Sequence, residues 1–224
     1  MKKKLIILTG PTAVGKTDLS IRLAKTVGGE IISADSMQVY RRMDIGTAKI
    51  RPEEMDGVRH HLIDILEPTE SFNAFLFKEY ALKAANEIWE RGSIPIIVGG
   101  TGFYIQTLLY DVEFAKSDEN DGIRDELNKL YEEHGAAFLH DMLAKADPEY
   151  AAEVHENNVK KVIRAIEFYR QTGHKMSEHN TEQRERTSPY NFEYFVLSDD
   201  RAVLYERIDK RIDKMVEEGL IAEV

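Results

Sequence analysis

A glycine-rich segment near the N-terminus constrains the fold of this chain more than any other feature. Residues 10–17 read GPTAVGKT, which matches the pattern G-x-x-x-x-G-K-[ST] at every fixed position. The apolar run LIILT precedes this segment at 5–9, and an amphipathic stretch follows it at 18–29. A strand, a glycine loop and a helix in this order open a βαβ unit, so we predict a parallel sheet covered by helices.

Further strands and helices alternate in the first half of the chain. The runs EIISA at 30–34 and IPIIV at 94–98 predict two more buried strands, and the apolar spacing of 74–92 predicts a helix between them. HHLIDIL at 60–66 predicts an additional extended segment. This alternation is typical of a doubly wound α/β sheet.

Helical patterns dominate the second half of the chain until FEYFVLS, at 192–198, predicts a returning strand. A further helical pattern then runs to the last residue without a clear stop signal, and its apolar face is incomplete, so we expect a truncated C-terminus. The predicted fold is a P-loop NTPase-like parallel sheet core (α/β) with a helical insertion domain. The core comprises 1–112 and, after the insertion at 113–190, resumes at 191–224.

Composition narrows the class of protein. A chain of 224 residues with 42% apolar residues can bury a sizeable core, and the lack of cysteine excludes disulfides and thiolate metal sites. We find no run of 18 apolar residues, so we expect a cytoplasmic protein that does not enter the membrane. A net charge of −10 argues against binding nucleic acid over the whole surface, but it leaves room for a local basic patch.

The glycine loop has the chemistry of a phosphate-binding site. Its backbone N–H groups can surround phosphate oxygens, Lys16 adds a full positive charge, and the hydroxyl of Thr17 can ligate Mg²⁺. An ordinary glycine turn is the alternative interpretation. Such a loop most often binds a nucleotide such as ATP. We assign diphosphate or nucleotide binding to its eight residues, Gly10, Pro11, Thr12, Ala13, Val14, Gly15, Lys16 and Thr17.

Two other strand ends carry candidate site residues. Asp35 follows the second strand, where open α/β sheets bind ligands, and we expect it beside the loop that follows the first strand. It can act near the phosphates, or it can be a turn or N-cap aspartate. The third long strand ends in Gly99-Gly100-Thr101-Gly102, which allows close approach of a substrate or forms a structural turn. Because no acid follows this strand, an ATPase or GTPase is disfavoured.

The adjacent histidines His60 and His61 are a weaker candidate site. Neighbouring side chains on an extended strand point to opposite faces, so these two imidazoles cannot readily ligate one metal ion. We therefore favour a structural role for both histidines.

The predicted insertion carries a local basic surface. Within 158–190, seven basic residues stand against four acidic ones, in a chain that is strongly acidic overall. Lys160, Lys161 and Arg164 fall on one side of the predicted helix, away from its apolar stripe. Such a face is usually only solvated, and it indicates nucleic acid binding if the core requires a polyanionic substrate.

Six stretches span nearly the whole chain: GPTAVGKT, DSMQVYRRMDIGTAK, HHLIDILEP, PIIVGGTGFYIQTLL, RAIEFYRQTG and RIDKRIDKMVEEGLIAEV. Together, and in this order, they resemble the tRNA dimethylallyltransferases, also called tRNA isopentenyltransferases. The resemblance implies transfer of the dimethylallyl group from dimethylallyl diphosphate to N6 of the adenosine 3′ of the anticodon, position 37 of tRNA. Diphosphate is the leaving group, and Mg²⁺ at Thr17 helps to neutralise it.

The resemblance also implies roles for individual residues. Asp35 is the general base that takes a proton from N6, and Thr101 contacts the target base or the prenyl donor. Arg207 and Arg211 are candidate diphosphate partners by position. Contacts with the anticodon stem-loop fall to Asp35, Ser36, Met37, Gln38, Thr101, Ile123, Lys160, Lys161 and Arg164.

Two other functions are compatible with parts of the pattern. A small-molecule P-loop kinase would use ATP and would employ Asp35 to activate an acceptor hydroxyl. A non-catalytic RNA-binding module would leave Asp35 and the complete phosphate loop unexplained. We expect the transferase, acting as a monomer.

Overall fold

The computed structural model describes residues 2–112 and 122–224, apart from the side chain of Arg184. It divides into two compact units, of which the first comprises Met1–Val112 and Ser188–Val224 and the second Glu113–Thr187. Residues 113–121, with which the predicted insertion begins, lie outside the described residues. Within the described residues, every helix is too short or too polar to cross a membrane.

The first unit is built on a five-stranded sheet in which every pairing is parallel. The strand order is β3-β2-β4-β1-β5, and Ile96 of β4 pairs with Ile6 on one side and Ile31 on the other. This sheet confirms the predicted parallel α/β fold. The strands are β1 (Lys4–Thr9), β2 (Gly29–Ser33), β3 (His60–His61), β4 (Ile94–Gly99) and β5 (Asn191–Val196).

Three helices of the first unit follow strands of the sheet or precede them. They are α1 (Lys16–Val27), α2 (Ala74–Glu90) and α3 (Gly102–Leu109). Helix α2 begins after Asn73, whose side-chain oxygen accepts a 3.0 Å hydrogen bond from the N–H of Leu76. Its apolar face includes Phe77 and Ile88, both fully buried. Helix α1 begins directly after the glycine loop, so its N-terminal N–H groups face the phosphate site predicted from the sequence.

In the described part of the second unit, the regular elements are all helices. Its helices are α4 (Ile123–Ala146), α5 (Pro148–Glu153), α6 (Val159–Thr172) and α7 (Met176–Glu185). Leu127, Leu139 and Val162 are completely buried in the apolar core of this unit. Asp147 is buried between helices: it accepts from the N–H of Tyr150 and from both the N–H and the hydroxyl of Ser177.

Two helices end the first unit, where the sequence predicted one. Helix α8 (Arg201–Glu217) stops before Gly219, and a short helix α9 (Leu220–Glu223) follows. Gly219 has a φ of 106°, a left-handed conformation that L-residues with a side chain rarely adopt, so the chain turns there. The prediction of one helix to the last residue was therefore wrong. None of the residues of α8 or α9 is fully buried.

Candidate active site

The glycine loop lies between β1 and α1, and its lysine is folded back onto it. The Lys16 Nζ donates to the carbonyl oxygens of Gly10 and Pro11, at 2.8 and 2.7 Å. Burial lowers the pKa of Lys16, the charge of Asp35 opposes this effect, and the charge of Arg211 adds to it. The Lys16 ammonium group is thus held over the loop by hydrogen bonds to two neutral carbonyl groups. An anion at this place would bind the ammonium group more strongly than the carbonyls do.

A cavity of about 150 Å³ opens at the carboxyl ends of the strands. From the loop and from α1, it is lined by Thr12, Ala13, Lys16, Thr17 and Ser20. From the strand ends, it is lined by Ser33, Asp35, Gly99 and Gly100. Its apolar wall consists of Ile31, Ile50, Ile63 and Val98, and Gln38, Thr47, His60 and Arg211 complete it. The glycine loop, Asp35 and an apolar wall therefore share one cavity.

Asp35 has both of the properties that the sequence left open. Its Oδ1 accepts hydrogen bonds from the N–H groups of Met37, at 2.8 Å, and Gln38, at 3.3 Å, so it caps a turn. It also lines the cavity with Lys16 and Thr17. A carboxylate has a second oxygen, and Oδ2 is left for a group inside the cavity.

Asp35 and the glycine loop line the same cavity, although their strands are not adjacent in the sheet. Strand β4 lies between β1, which precedes the loop, and β2, which precedes Asp35. This order follows from the crossover connections of a doubly wound sheet, which a local pattern does not reveal.

The glycine that ends β4 allows the strand ends to approach closely. A Cβ atom on Gly99 would lie 2.3 Å from the carbonyl oxygen of Ala34, so this position requires glycine. The N–H of Ala34 donates to the carbonyl of Val98 at 2.8 Å. Gly99 and Gly100 line the cavity, and Thr101 lies just beyond them, half-buried at the N-cap of α3.

The residues after Asp35 divide between cavity and surface. Gln38 lines the cavity, and its Nε2 donates to the carbonyl oxygens of Thr47, at 3.3 Å, and Ala48, at 3.4 Å. Met37 is exposed and Ser36 is half-buried. Of the predicted tRNA contacts in this stretch, Asp35 and Gln38 are thus the two that reach the cavity wall.

His60 is a cavity residue that sequence reasoning missed. Its Nδ1 lies 2.9 Å from the carbonyl oxygen of Val58, which can only accept, so Nδ1 carries the proton. Burial lowers the pKa of His60, which favours the neutral ring with Nε2 as an acceptor. His61 instead lies 2.7 Å from Glu30. The sequence favoured a structural role for both histidines, whereas the structure places His60 in the cavity wall.

Four candidate tRNA contacts lie in the second unit. Lys160 and Lys161 are exposed at the start of α6. Arg164 is half-buried and donates to Glu167, at 3.1 Å, so part of its charge is already neutralised. Ile123 is partly buried and packs against the core of this unit.

Comparison with known proteins identifies the family. Residues 38–224 match the family model described as IPP transferase. The chain belongs to the IPP transferase family. A relative from Lachnoclostridium phytofermentans, named tRNA dimethylallyltransferase, is 58% identical over 98% of this chain and 70% of the relative. A relative of the same name from Carboxydothermus hydrogenoformans is 50% identical over 100% of this chain and 72% of the relative.

Solved structures of the IPP transferase family have the same fold. The full-length tRNA isopentenylpyrophosphate transferase from Bacillus halodurans is 49% identical, with a TM-score of 0.68 over 99% of this chain and 69% of that one. A eukaryotic dimethylallyltransferase described as acting on tRNA is 36% identical, with a TM-score of 0.90. The match covers 99% of this chain and 55% of the eukaryotic protein. These relatives support the prenyltransferase interpretation and give no support to the kinase alternative.

Proposed function

We propose that this chain transfers the dimethylallyl group of dimethylallyl diphosphate to N6 of adenosine 37 in tRNA and releases diphosphate. Family membership supports this reaction. The observation that carries this proposal is that the glycine loop, the Asp35 carboxylate and several apolar side chains line one cavity. We propose further that the chain acts in the cytoplasm as a monomer on the anticodon stem-loop.

The diphosphate of the donor binds at the loop of residues 10–17. The N–H groups at the start of α1 and the ammonium of Lys16 meet its oxygens, and Lys16 exchanges its carbonyl partners for phosphate. Arg211 lines the same cavity from α8 and adds a second cation. Arg207 lies further out, bound to Asp199 at 3.0 Å and to the carbonyl oxygen of Ala13 at 3.5 Å.

The cavity also fits a magnesium ion. Among the described residues, His, Asp and Glu side chains form no cluster of three that could hold a metal ion alone. Mg²⁺ needs no such cluster, because one or two protein oxygens, substrate phosphates and waters complete its shell. The hydroxyl of Thr17 lines the cavity and supplies such an oxygen. When bound, Mg²⁺ adds positive charge that stabilises the diphosphate as a leaving group.

Asp35 is the general base of the transfer. The lone pair of N6 is delocalised into the adenine ring, so the amine is a weak nucleophile and benefits from a base at its proton. As the bond from N6 to C1 of the prenyl chain forms, the bond from C1 to the diphosphate oxygen breaks. The proton of N6 passes to Asp35. The apolar wall accommodates the five-carbon chain and keeps water from the allylic carbon.

Contacts with tRNA extend beyond the cavity. Asp35 and Gln38 face the target base, and Ser36, Met37 and Thr101 flank them on the first unit. Ile123, Lys160, Lys161 and Arg164 contact the anticodon stem-loop from the second unit. A lysine contributes a phosphate contact that is not specific for sequence, so its loss weakens binding of all stem-loops alike.

The proposal is tested by supplying the protein with Mg²⁺ and dimethylallyl diphosphate and following diphosphate release. Release that depends on an anticodon stem-loop RNA with adenosine at position 37 is the expected result. Rapid hydrolysis of ATP with no diphosphate release from the prenyl donor would instead favour the kinase.

A further inference from the structure

The carboxylate of Glu223 holds three consecutive backbone N–H groups from a distant part of the chain. Its Oε2 accepts from Asp44, at 2.8 Å, and Ile45, at 2.7 Å, and its Oε1 accepts from Gly46, at 2.8 Å. These charge-assisted bonds join α9 to the segment DIGTAK at 44–49. The N–H groups of Ile45 and Gly46 lower the pKa of Glu223, which keeps the side chain ionised.

The segment that Glu223 holds also orients a cavity residue. Directly after Gly46, the carbonyl oxygens of Thr47 and Ala48 accept both hydrogen bonds of the Gln38 amide nitrogen. These bonds fix which end of the Gln38 amide is the nitrogen, and Oε1 at the other end accepts a 3.5 Å hydrogen bond from the hydroxyl of Ser33, which also lines the cavity. Thr47 itself lines the cavity. A shift of the 44–48 backbone would therefore turn the Gln38 amide.

A buried lysine restrains the same segment from its other end. The side chain of Lys49 is almost completely buried, and its Nζ donates to the carbonyl oxygen of Tyr40 and to the carboxylates of Asp44 and Asp64, at 2.7, 2.6 and 2.5 Å. The segment is therefore held by two side chains of opposite charge. The Lys49 ammonium binds the side chain of Asp44, and the Glu223 carboxylate binds the backbone of residues 44–46. Of the two, Glu223 is half-exposed and is the easier to remove without leaving a buried charge.

We propose that Glu223 is a positioning residue for the acceptor side of the cavity. It does not touch the substrate but holds residues 44–46, and through the carbonyls of Thr47 and Ala48 it sets the orientation of the Gln38 amide. The expected effect of Glu223 on catalysis rests on the proposed function. The expected effect of Glu223 on the orientation of the Gln38 amide does not depend on that function.

The direct test is the side-chain amide signal of Gln38 in the ¹⁵N spectrum of the whole chain. Glu223→Ala is expected to shift this signal, because the carbonyls that accept from the amide move. Glu217→Gln is the matched control: Glu217 is exposed at the end of α8, and this change also removes one negative charge. An unmoved Gln38 signal in Glu223→Ala would overturn the inference, whether or not the chain modifies RNA.

Kinetics test the consequence for catalysis. We expect Glu223→Ala to lower kcat/KM for an anticodon stem-loop by about tenfold while the KM for dimethylallyl diphosphate changes less than about twofold. In a Gln38→Ala background, the same change should have almost no further effect, since the two residues act through one path. Glu223→Gln keeps one accepting oxygen and should recover part of the loss. Independent, multiplying effects of Glu223→Ala and Gln38→Ala would contradict the inference.

Discussion

The Oδ1 of Asp35 accepts a 2.8 Å hydrogen bond from the backbone N–H of Met37. One carboxylate therefore caps a turn with one oxygen and offers the other to the cavity. The two roles can be separated by mutation, because the asparagine carbonyl retains the capping oxygen but cannot take a proton at neutral pH.

We predict that Asp35→Asn lowers kcat by a factor on the order of 10² or more with an unchanged KM for dimethylallyl diphosphate. Asp35→Ala should lose the same activity and should also cost about 1 kcal/mol of unfolding free energy, since the N–H of Met37 loses its partner. Steady-state kinetics and chemical denaturation measure the two effects. Near wild-type turnover in Asp35→Asn would remove Asp35 from the role of general base.

Lys16 is predicted to act in binding rather than in proton transfer. Lys16→Ala should weaken the affinity for inorganic diphosphate in the presence of Mg²⁺ by about tenfold to a hundredfold, because a charge-assisted contact is worth about 1.5–3 kcal/mol. Isothermal titration calorimetry measures this affinity. Lys25→Ala is the matched control, because Lys25 is an exposed cation in the last turn of the same helix. Equal affinities in the Lys16 variant and the control would contradict the assignment.

The last glycine of β4 and the first glycine of α3 should respond differently to an added methyl group. Gly99→Ala would place a Cβ 2.3 Å from the backbone oxygen of Ala34, so we expect a loss of about 1–3 kcal/mol in unfolding free energy. A Cβ on Gly102 meets nothing within 4 Å, and alanine is the better helix former at this first position of α3. Gly102→Ala should therefore retain or gain stability. Urea denaturation of both variants checks the contrast, which an equal loss would refute.

Asp147 should make the stability of the second unit dependent on pH. Burial raises the pKa of Asp147, but the hydroxyl and N–H of Ser177 and the N–H of Tyr150 outweigh it, so the pKa in the folded protein lies below the usual value. The stability that this carboxylate contributes is complete above its unfolded pKa of about 3.9 and is lost as the pH falls through the lower folded value.

Asp147→Asn removes this titration, so its melting temperature should fall less steeply than that of the wild type below about pH 4. At pH 7 the same variant should be the less stable of the two, because a charged acceptor is replaced by a neutral one. Circular dichroism melting between pH 3 and 7 tests both statements. Parallel curves for the two proteins would show that Asp147 does not titrate on unfolding.

Much of the first unit could be predicted from local sequence. The runs LIILT, EIISA and IPIIV coincide with β1, β2 and β4, because parallel strands buried on both faces appear as continuous apolar runs. The glycine loop between β1 and α1 could be placed because its glycines, lysine and threonine stand at fixed spacing between an apolar run and an amphipathic one. The end of α8 also had a local signal in Gly219, which the sequence reading did not use.

The remaining features depend on contacts between distant parts of the chain. The position of β4 between β1 and β2 is set by crossovers, and the Glu223 contact with residues 44–46 joins segments that lie 177 or more residues apart. The entry of His60 into the cavity depends on the pairing of β3 with β2. None of these relationships has a periodic or compositional signature, so the structure was needed to find them.

The most direct measurement of the central claim is the mass of an anticodon stem-loop RNA after incubation with this chain, Mg²⁺ and dimethylallyl diphosphate. We predict the addition of one five-carbon prenyl unit to an RNA with adenosine at position 37, and no addition when that adenosine is replaced by guanosine. Fragmentation should locate the new group on the adenine base. An RNA of unchanged mass, from protein that is folded and binds diphosphate, would contradict the account.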